Sequence, residues 1–372
     1  MKCKLSDICS FRKGKVEVEN LNAKNYISTE NMLPNKCGIT EASSLPTVSL
    51  TQEYNSGDVL VSNIRPYFKK IWQAEYDGGC SNDVLVFVPK PNTDKDFLYY
   101  VLADDDFFTY SMATSKGTKM PRGDKTSIMQ YEVPLIDLQV QKKIASVLKA
   151  LDERIKLNNE INNNLEQQAQ AIYQQMFIDN ARSNWAEGTL SDIADITMGQ
   201  SPSGSSYNED GTGTIFFQGR AEFGFRFPSV RLYTTEPKRM ARSNDTLMSV
   251  RAPVGDLNVA HTDCCIGRGL AAIHSKSNHQ SFVLYTMFSL KKQLDVFNGE
   301  GTVFGSINRN SLNDMPILIP SDDILDEFER IVAPMDLTIR NNYDENCRLQ
   351  DIRDTLLPRL MSGELDVSDI DI

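Results

Sequence analysis

Apolar residues recur at alternating steps of four and three in two long segments, one in the middle of the chain and one near its end. This spacing predicts α-helices whose apolar stripe faces a partner helix, as in a coiled coil. One such stripe could also belong to a single amphipathic helix packed on a domain core. Because the two stripes match even at two central asparagines, we favour two helices that pair with each other. The predicted pairing residues are Ile144, Leu148, Leu151, Ile155, Asn158, Asn162, Leu165, Met335, Ile339, Asn342, Asn346, Leu349 and Leu356.

The rest of the chain mixes short β-like runs with Gly, Asn and Pro, which predicts mixed α/β domains. These parts repeat. Leu5–Ile8 recurs as Leu190–Ile193, and Asp58–Ser62 is similar to Asp245–Ser249, at offsets of 185 and 187 residues. The chain is therefore predicted to be a tandem duplication of a module that ends in a long helix. Two copies are too few for a solenoid and indicate a pseudo-symmetric molecule.

The predicted fold class is α+β, with two similar mixed α/β domains separated by two long coiled-coil helices. Pro334 and Pro358 lie inside the second helical pattern, and interior prolines kink helices. We therefore expect the straight part of that helix at 335–357. The predicted boundaries are 1–138 for the first domain, 139–182 for the central helix, 183–320 for the second domain, 321–361 for the distal helix and 362–372 for an acidic tail.

Composition is that of an ordinary globular protein, with 40% hydrophobic and 24% charged residues among 372. No run approaches the ~18 apolar residues of a membrane span, and the first residues do not predict a signal peptide. The seven cysteines show no C-x-x-C spacing and are predicted to be thiols of a cytoplasmic protein. Only three histidines are present, and we predict no metal site.

The formal charge of −11 argues at first sight against binding to nucleic acid, but the distribution of the charge along the chain matters. Residues 321–372 contain 14 Asp and Glu against 5 Lys and Arg, so the two predicted domains are nearly neutral. Both carry Lys and Arg interleaved with aromatic residues, a pattern that suits phosphate contacts and base-edge recognition. Dispersed, solvated surface charges are the alternative interpretation. The candidate DNA-contact residues are Arg65, Tyr67, Lys69, Lys70, Lys116, Lys119, Arg122, Lys125, Arg220, Arg226, Arg231, Arg251 and Arg309.

The glycine-rich strings that could be catalytic motifs do not have the spacing that those motifs require. In Gly117–Thr126 the second glycine comes one place too late for a phosphate loop and is followed by Asp124. Gly299–Gly305 is one residue too long for a dinucleotide-binding fingerprint. The histidines have no evident nucleophile beside them and are expected to be structural or surface residues. We therefore predict no catalytic residues and a chain that is not an enzyme.

Several strings, taken with the duplicated layout, resemble the specificity subunit of type I restriction–modification systems. The resemblance spans essentially the whole chain. The strings that carry it are Gly57-Asp-Val-Leu-Val-Ser-Asn-Ile-Arg-Pro-Tyr67, Gly78-Gly-Cys-Ser-Asn-Asp83, Val133-Pro-Leu-Ile136, Gln141-Lys-Lys-Ile-Ala145 and Leu356-Leu-Pro-Arg-Leu-Met-Ser-Gly-Glu-Leu365.

This resemblance implies two target recognition domains, each recognising half of a bipartite, asymmetric site in double-stranded DNA. It implies that two antiparallel helices separate these domains and dock two methyltransferase (modification) subunits, with endonuclease (restriction) subunits joining the complex. S-adenosylmethionine, ATP and Mg would belong to those partner subunits, and this chain would bind no cofactor. A coiled-coil scaffold whose two domains bind protein or glycan is the alternative from another class.

Overall fold

The computed structural model describes residues 2–299 and 305–367 and divides the chain into two compact units. The first unit is Met1–Leu157 with Glu345–Ile372, and the second is Asn158–Asp344. The second unit is therefore a continuous stretch of chain, whereas the first is assembled from two separate stretches.

Two four-stranded sheets form the β-structure of the first unit, in the orders β2-β9-β6-β7 and β3-β5-β8-β4, and β1 pairs with β10. The first sheet is antiparallel throughout, with Val59 opposite Phe87 and Gln73. The strands are β1 (Lys2–Lys4), β2 (Cys9–Phe11), β3 (Lys15–Glu17), β4 (Tyr26–Ile27), β5 (Leu50–Tyr54), β6 (Val59–Ser62), β7 (Ile71–Gln73), β8 (Gly78–Cys80), β9 (Val84–Pro89) and β10 (Glu132–Pro134).

Helices cover one face of the β2-β9-β6-β7 sheet. The core buries Phe87 from β9, Phe107 from a helix and Leu148 and Leu360 from the two long helices, each at most 2% exposed. Asp94 caps the second helix by accepting the amide hydrogens of Asp96 and Phe97. The shorter helices of this unit are α1 (Leu5–Ile8), α2 (Lys95–Ala103), α3 (Asp105–Ala113) and α4 (Lys125–Ile128).

The second unit repeats this plan. Its four-stranded sheet has the order β12-β20-β17-β18, which corresponds strand for strand to β2-β9-β6-β7, and a five-stranded sheet has the order β13-β15-β14-β19-β16. Strands β11 and β21 pair with each other. The strands are β11 (Ala186–Thr189), β12 (Ala194–Met198), β13 (Tyr207–Asn208), β14 (Thr214–Phe217), β15 (Leu232–Thr234), β16 (Met240–Ala241), β17 (Thr246–Ser249), β18 (Leu257–Val259), β19 (Cys264–Ile266), β20 (Leu270–Ser275) and β21 (Pro316–Ile319).

The two long helices are continuous, and each contributes to both units. The first, α5, spans Leu138–Tyr173 and continues as a π-helical segment to Asp179; the second, α10, spans Asp322–Ser362. Pro334 and Pro358, which we expected to limit the straight part of the second helix, both lie inside α10. The remaining helices of the second unit are α6 (Leu190–Ile193), α7 (Gln280–Ser289), α8 (Lys291–Asp295) and α9 (Arg309–Asn313).

Within each unit α5 and α10 run in opposite directions. In the first unit Asp152 pairs with Arg353 at 2.7 Å and Arg154 pairs with Glu345 at 3.0 Å. In the second unit Asn342 donates a hydrogen bond to Asn162 at 2.8 Å, and Tyr173 packs edge-on against Phe328. Residue numbers rise along α5 as they fall along α10. The expected fold, a duplicated α/β module with two antiparallel helices, is confirmed.

The predicted pairing positions fall on the inner faces of these helices, buried or half-buried. Asn158, Asn162 and Asn346 are at most 7% exposed. The Asn162–Asn342 hydrogen bond shows one use of the repeated asparagines, because a buried polar group must find a partner and thereby fixes helix register.

Candidate nucleic-acid interface

In the first unit two loops are joined by backbone hydrogen bonds just beyond the end of β6. The amide of Arg65 donates to the carbonyl of Pro121 at 2.8 Å, and the amide of Gly123 donates to the carbonyl of Asn63 at 3.1 Å. The second loop then enters α4, which Asp124 caps by accepting the amide hydrogen of Ser127 at 2.9 Å. We call residues 63–70 and 114–125 the first loop pair.

The second unit builds the same arrangement at equivalent positions. Beyond β17, the amide of Ala252 donates to the carbonyl of Gly305 at 3.0 Å, and the amide of Ile307 donates to that of Val250 at 3.1 Å. Asn308 caps α9 through the amide hydrogen of Ser311. We call residues 250–256 and 305–309 the second loop pair. The Gly299–Gly305 string considered above includes residues outside those described.

The sequence repeat that marks these loops has a structural cause. Asp58 and Asp245, which open the repeated strings, are buried and accept the amide hydrogens of Asn55 and Arg242, both at 2.8 Å. In addition, Ser62 and Ser249 each donate a side-chain hydrogen bond to the carbonyl two residues later. The repeated residues therefore shape the loops, and the residues that differ between the copies decide what the loops present.

The predicted contact residues of the first unit lie on the first loop pair. Arg65, Tyr67 and Lys119 are exposed. Lys69, Lys116 and Arg122 form ion pairs with Asp105, Asp124 and Asp83 at 2.7, 2.6 and 3.2 Å, so DNA phosphates would have to displace these carboxylates. Lys70 is half-buried and donates to the carbonyl of Thr29, and burial lowers its pKa. Lys125 lies 5.8 Å from the ring centre of Phe11.

In the second unit the predicted arginines separate into different environments. Arg251 lines a surface cavity of about 360 Å³ together with Met198 and Arg268, and Arg309 is exposed at the start of α9. Arg220 pairs with Asp256, at the end of the loop that carries Arg251. Arg231 pairs with Glu222 at 2.9 Å and Glu209 at 3.4 Å, which lie outside the second loop pair.

Arg226 contradicts its prediction as a DNA contact. Its side chain is 4% exposed and forms ion pairs with Glu166 at 2.9 Å and Asp336 at 3.0 Å. It also donates to the hydroxyl of Tyr285 at 3.2 Å. Burial raises the pKa of Glu166, and the guanidinium charge of Arg226 opposes that rise. A buried cation must be paired, so the network holds Arg226 inside the unit and away from a ligand.

Each histidine is paired with an aspartate in the second unit. His261 contacts Asp344 at 2.7 Å and His279 contacts Asp326 at 2.9 Å, both on α10, and His274 contacts Asp245 at 2.6 Å. Among residues 2–299 and 305–367, no cluster of His, Cys, Asp or Glu could hold a metal ion. None of the helices within that part of the chain is long and apolar enough to cross a membrane.

Sequence reasoning missed Phe68 and Met120, which are exposed on the first loop pair. It also missed Arg268 as a neighbour of Arg251 in one cavity. Phe68 follows the predicted Tyr67 directly, so its position in the chain was a usable signal. Met120 and Arg268 reach their places only through pairing between distant loops, which no local pattern reveals.

The comparisons agree on one family. A family model of the type I restriction–modification DNA specificity domain matches residues 1–167 and 182–342. The chain is 28% identical over 342 residues to MjaX, a candidate type I restriction enzyme specificity subunit of Methanocaldococcus jannaschii, covering 84% of this chain and 79% of that protein. It is 23% identical to the type I restriction enzyme HindI specificity subunit of Haemophilus influenzae, covering 91% and 94%.

Solved structures add evidence for the fold. The S subunit of a type I restriction–modification system from M. genitalium superposes with a TM-score of 0.63 at 16% identity, covering 99% of this chain and 96% of that one. At this identity the likeness concerns the fold alone, and it agrees with the duplicated module described above.

Proposed function

The chain belongs to the type I restriction–modification DNA specificity family, and from this premise we propose that each of its two units recognises one half of a bipartite, asymmetric DNA site. The family match makes the chain a DNA sequence-recognition subunit and not a scaffold that binds protein or glycan. The two matched segments, residues 1–167 and 182–342, contain one loop pair each.

The observation that carries this proposal is the repetition of the loop pair at equivalent positions in both units. Each pair is held by backbone hydrogen bonds and a capped helix, so its side chains project from a fixed support. Cations on such a support can neutralise phosphates and set the register of the protein on the duplex, whereas base edges supply sequence information. We assign DNA contact to Arg65, Lys119 and Arg122 in the first unit and to Arg251, Arg268 and Arg309 in the second.

The differences between the loop pairs support recognition of different half-sites. The first loop pair carries most of its charge on lysines, whereas the second carries arginines. A planar guanidinium can donate two hydrogen bonds to one guanine, whereas an ammonium acts as a compact point charge. A half-site with guanine contacts is therefore assigned to the second unit.

The chemistry is assigned to partner subunits. We propose that this chain is non-catalytic and works in the cytoplasm, docking two methyltransferase subunits and the endonuclease subunits of the complex. S-adenosylmethionine, ATP and Mg are assigned to those partners. The duplication supports two methyltransferase subunits per chain, because a repeated surface offers a repeated docking site. Native mass spectrometry at saturating modification subunit should give a ratio of two to one, and a ratio of one to one would contradict it.

A domain exchange tests half-site recognition. Residues 189–320 are replaced by the second recognition domain of another specificity subunit, and methylated adenines are mapped by single-molecule sequencing in cells that carry both partner subunits. One half of the methylated site should change and the other half should remain. Changes in both halves would contradict independent recognition. Salt-insensitive binding of the unmodified complex to its mapped site would contradict DNA recognition through these loops, since phosphate contacts make affinity fall steeply with salt.

A further inference from the structure

A turn in the first loop pair holds two non-glycine residues in the left-handed backbone region. Pro66–Phe68 forms a single 3₁₀ turn, and its flanking residues Arg65 and Lys69 have φ values of 51° and 50°. Residues with a Cβ rarely adopt this conformation, and they keep it only where the surrounding structure enforces it. Such positions concentrate at sites that bind ligands.

The enforcing contacts come from every side of the turn. Inside it, the amides of Phe68 and Lys69 donate to the carbonyls of Arg65 and Pro66 at 3.0 and 2.9 Å. The amides of Asn35 and Lys36 donate to the carbonyls of Phe68 and Lys69 at 2.8 and 2.9 Å. On the other side, the amide of Arg65 is fixed to Pro121. The turn is therefore a rigid platform and not a loose loop.

The platform presents two aromatic rings to solvent. Tyr67 is 50% exposed and Phe68 is 38% exposed, and their ring centres are 4.7 Å apart. Met120, from the other loop of the pair, is also exposed. A rigid turn that exposes apolar rings does not stabilise a core, which indicates that these rings have a partner outside the chain.

Cationic residues adjoin the two rings along the turn. Arg65 and Lys69 flank the turn, and the ammonium of Lys70 lies 5.8 Å from the ring centre of Phe68. The carboxylate of Asp105 holds both Lys36 and Lys69, at 2.8 and 2.7 Å. A duplex offers phosphates to such cations on both strands and stacked bases to the rings between them. Charge complementarity therefore favours DNA over an apolar protein surface as the partner.

The second loop pair has no exposed aromatic rings at the positions equivalent to Tyr67 and Phe68. The offset of 187 that relates Asp58 to Asp245 places Val254 and Gly255 at the positions of Tyr67 and Phe68. Val254 is fully buried, and the equivalent loop borders the cavity lined by Arg251 and Arg268. The two loop pairs share a backbone plan but present different chemistry, rings in one and guanidinium groups in the other.

We propose that Tyr67 and Phe68 form an aromatic wedge that enters a base step of the half-site recognised by the first unit and unstacks it. This rests on the proposed function. The preferred step is pyrimidine–purine, because such steps unstack most easily, so the first unit selects sequence through deformability as well as base contacts. The second unit recognises its half-site through arginines at base edges without a comparable wedge.

The test uses the complete complex with its modification subunits, bound to the site identified by methylation mapping. Duplexes carry 2-aminopurine at each adenine of the first half-site in turn, since this base brightens when it is unstacked. The wild-type complex should raise fluorescence at one pyrimidine–purine step away from the methylated adenine, which the methyltransferase itself takes out of the stack. The double variant Tyr67→Ala/Phe68→Ala should return that signal to the level of free DNA and weaken cognate binding about ten- to a hundredfold, the loss typical of one or more base–aromatic stacks.

Controls separate the wedge from general damage. Because the double variant removes no charge, the salt slope of its binding should stay unchanged. Tyr67→Phe keeps both rings and should keep the fluorescence signal. Tyr76→Ala removes another partly exposed ring of the same unit, 38% exposed and outside the loop pair, and should leave the signal and the affinity unchanged.

The remaining outcomes have distinct meanings. Specific, salt-dependent binding by the wild-type complex without unstacking at any position of the first half-site other than the methylated adenine would overturn the wedge and leave the proposed function intact. Normal unstacking by the double variant, together with loss of a modification subunit in native mass spectra, would overturn the wedge and assign the rings to a protein contact. Absence of specific DNA binding by the wild-type complex would overturn both.

Discussion

The hydroxyl of Tyr285 donates a hydrogen bond to Asp336 at 2.9 Å and so joins α7 to α10 in the second unit. The first unit makes the equivalent bond between Tyr100 and Asp152, at 2.8 Å, and so joins α2 to α5. In both units the carboxylate also pairs with an arginine, Arg353 in the first and Arg226 in the second. The duplicated module thus attaches its globular part to its helix by the same tyrosine–aspartate pair.

Removing either tyrosine hydroxyl should weaken that attachment. Tyr285→Phe and Tyr100→Phe should each lower the free energy of unfolding by about 1.5–3 kcal/mol, because a hydrogen bond to a charged group is lost inside the unit. Urea denaturation of the assembled complex measures the change. Tyr67→Phe, whose ring is exposed, is the matched control and should alter stability by less than about 0.5 kcal/mol.

Arg226 should be important for stability rather than for DNA contact. Arg226→Met leaves Glu166 and Asp336 without their cation and should lower the free energy of unfolding by about 3–5 kcal/mol. Arg359→Met breaks the exposed pair with Glu364 and should cost about 0–1 kcal/mol. If the Arg226→Met variant instead has wild-type stability and weakened DNA affinity, Arg226 is a DNA contact, as the sequence predicted.

The pH dependence of the Arg226→Met variant follows from Glu166. Burial already raises the folded-state pKa of this acid, and removing the guanidinium removes the opposing effect. A raised folded-state pKa means that the folded protein binds the proton more tightly than the unfolded chain. The variant should therefore gain stability relative to wild type as pH falls through that raised pKa, and lose it again as pH rises. Denaturation curves at several pH values between 7 and 5 check the sign.

The hydrogen bond between Asn162 and Asn342 should specify helix register more than it stabilises the fold. Either Asn→Leu variant alone leaves a polar partner unsatisfied and should lower the free energy of unfolding by about 1–3 kcal/mol. The double variant should recover most of this loss, since two apolar residues can replace a polar pair. A double-mutant cycle gives the coupling energy, and additive losses would show that the two side chains act independently.

Single substitutions should separate phosphate contacts from base contacts. Lys119→Gln, if it removes a phosphate contact, should weaken binding to all sequences alike and reduce the salt slope by about one unit. Arg251→Gln, if it removes a base contact, should cost about 1–3 kcal/mol on the cognate site and relax the preference at one position. Unchanged affinity in both variants, and in Arg65, Lys69, Arg122 and Arg309 variants as well, would assign these side chains to solvated surface.

The long helices should set the unread gap between half-sites. The seam from Ile144 to Met176 covers 33 residues, roughly 50 Å of helix. Inserting one heptad in α5 between Asn158 and Leu165, and one in α10 between Asn342 and Leu349, keeps the seam and lengthens each helix by roughly 10 Å. At ~3.4 Å per base pair the gap should grow by about three pairs, with both half-sites unchanged. Methylation mapping of an active complex with an unaltered gap would refute this.

The fold was predictable because its signals are local or repeated. The heptad stripes predicted α5 and α10, and the duplicated Asp58 and Asp245 strings predicted two equivalent modules. The fate of Arg226 was not predictable, because its burial depends on Glu166 and Asp336, which lie 60 and 110 residues away in the chain. Likewise, the first loop pair forms through hydrogen bonds between residues near 65 and near 121. No periodicity encodes such pairing.

The interrupted first unit has a consequence during synthesis on the ribosome. Its core includes Leu357, Leu360 and Met361, which are translated after the whole second unit. Residues 158–344 can therefore complete the core of the second unit before the residues that complete the core of the first unit are available. Until the last turns of α10 are made, the apolar surface around Leu148 lacks the side chains of Leu357 and Leu360 that complete its core. The module that is translated first is therefore the one whose core is completed last.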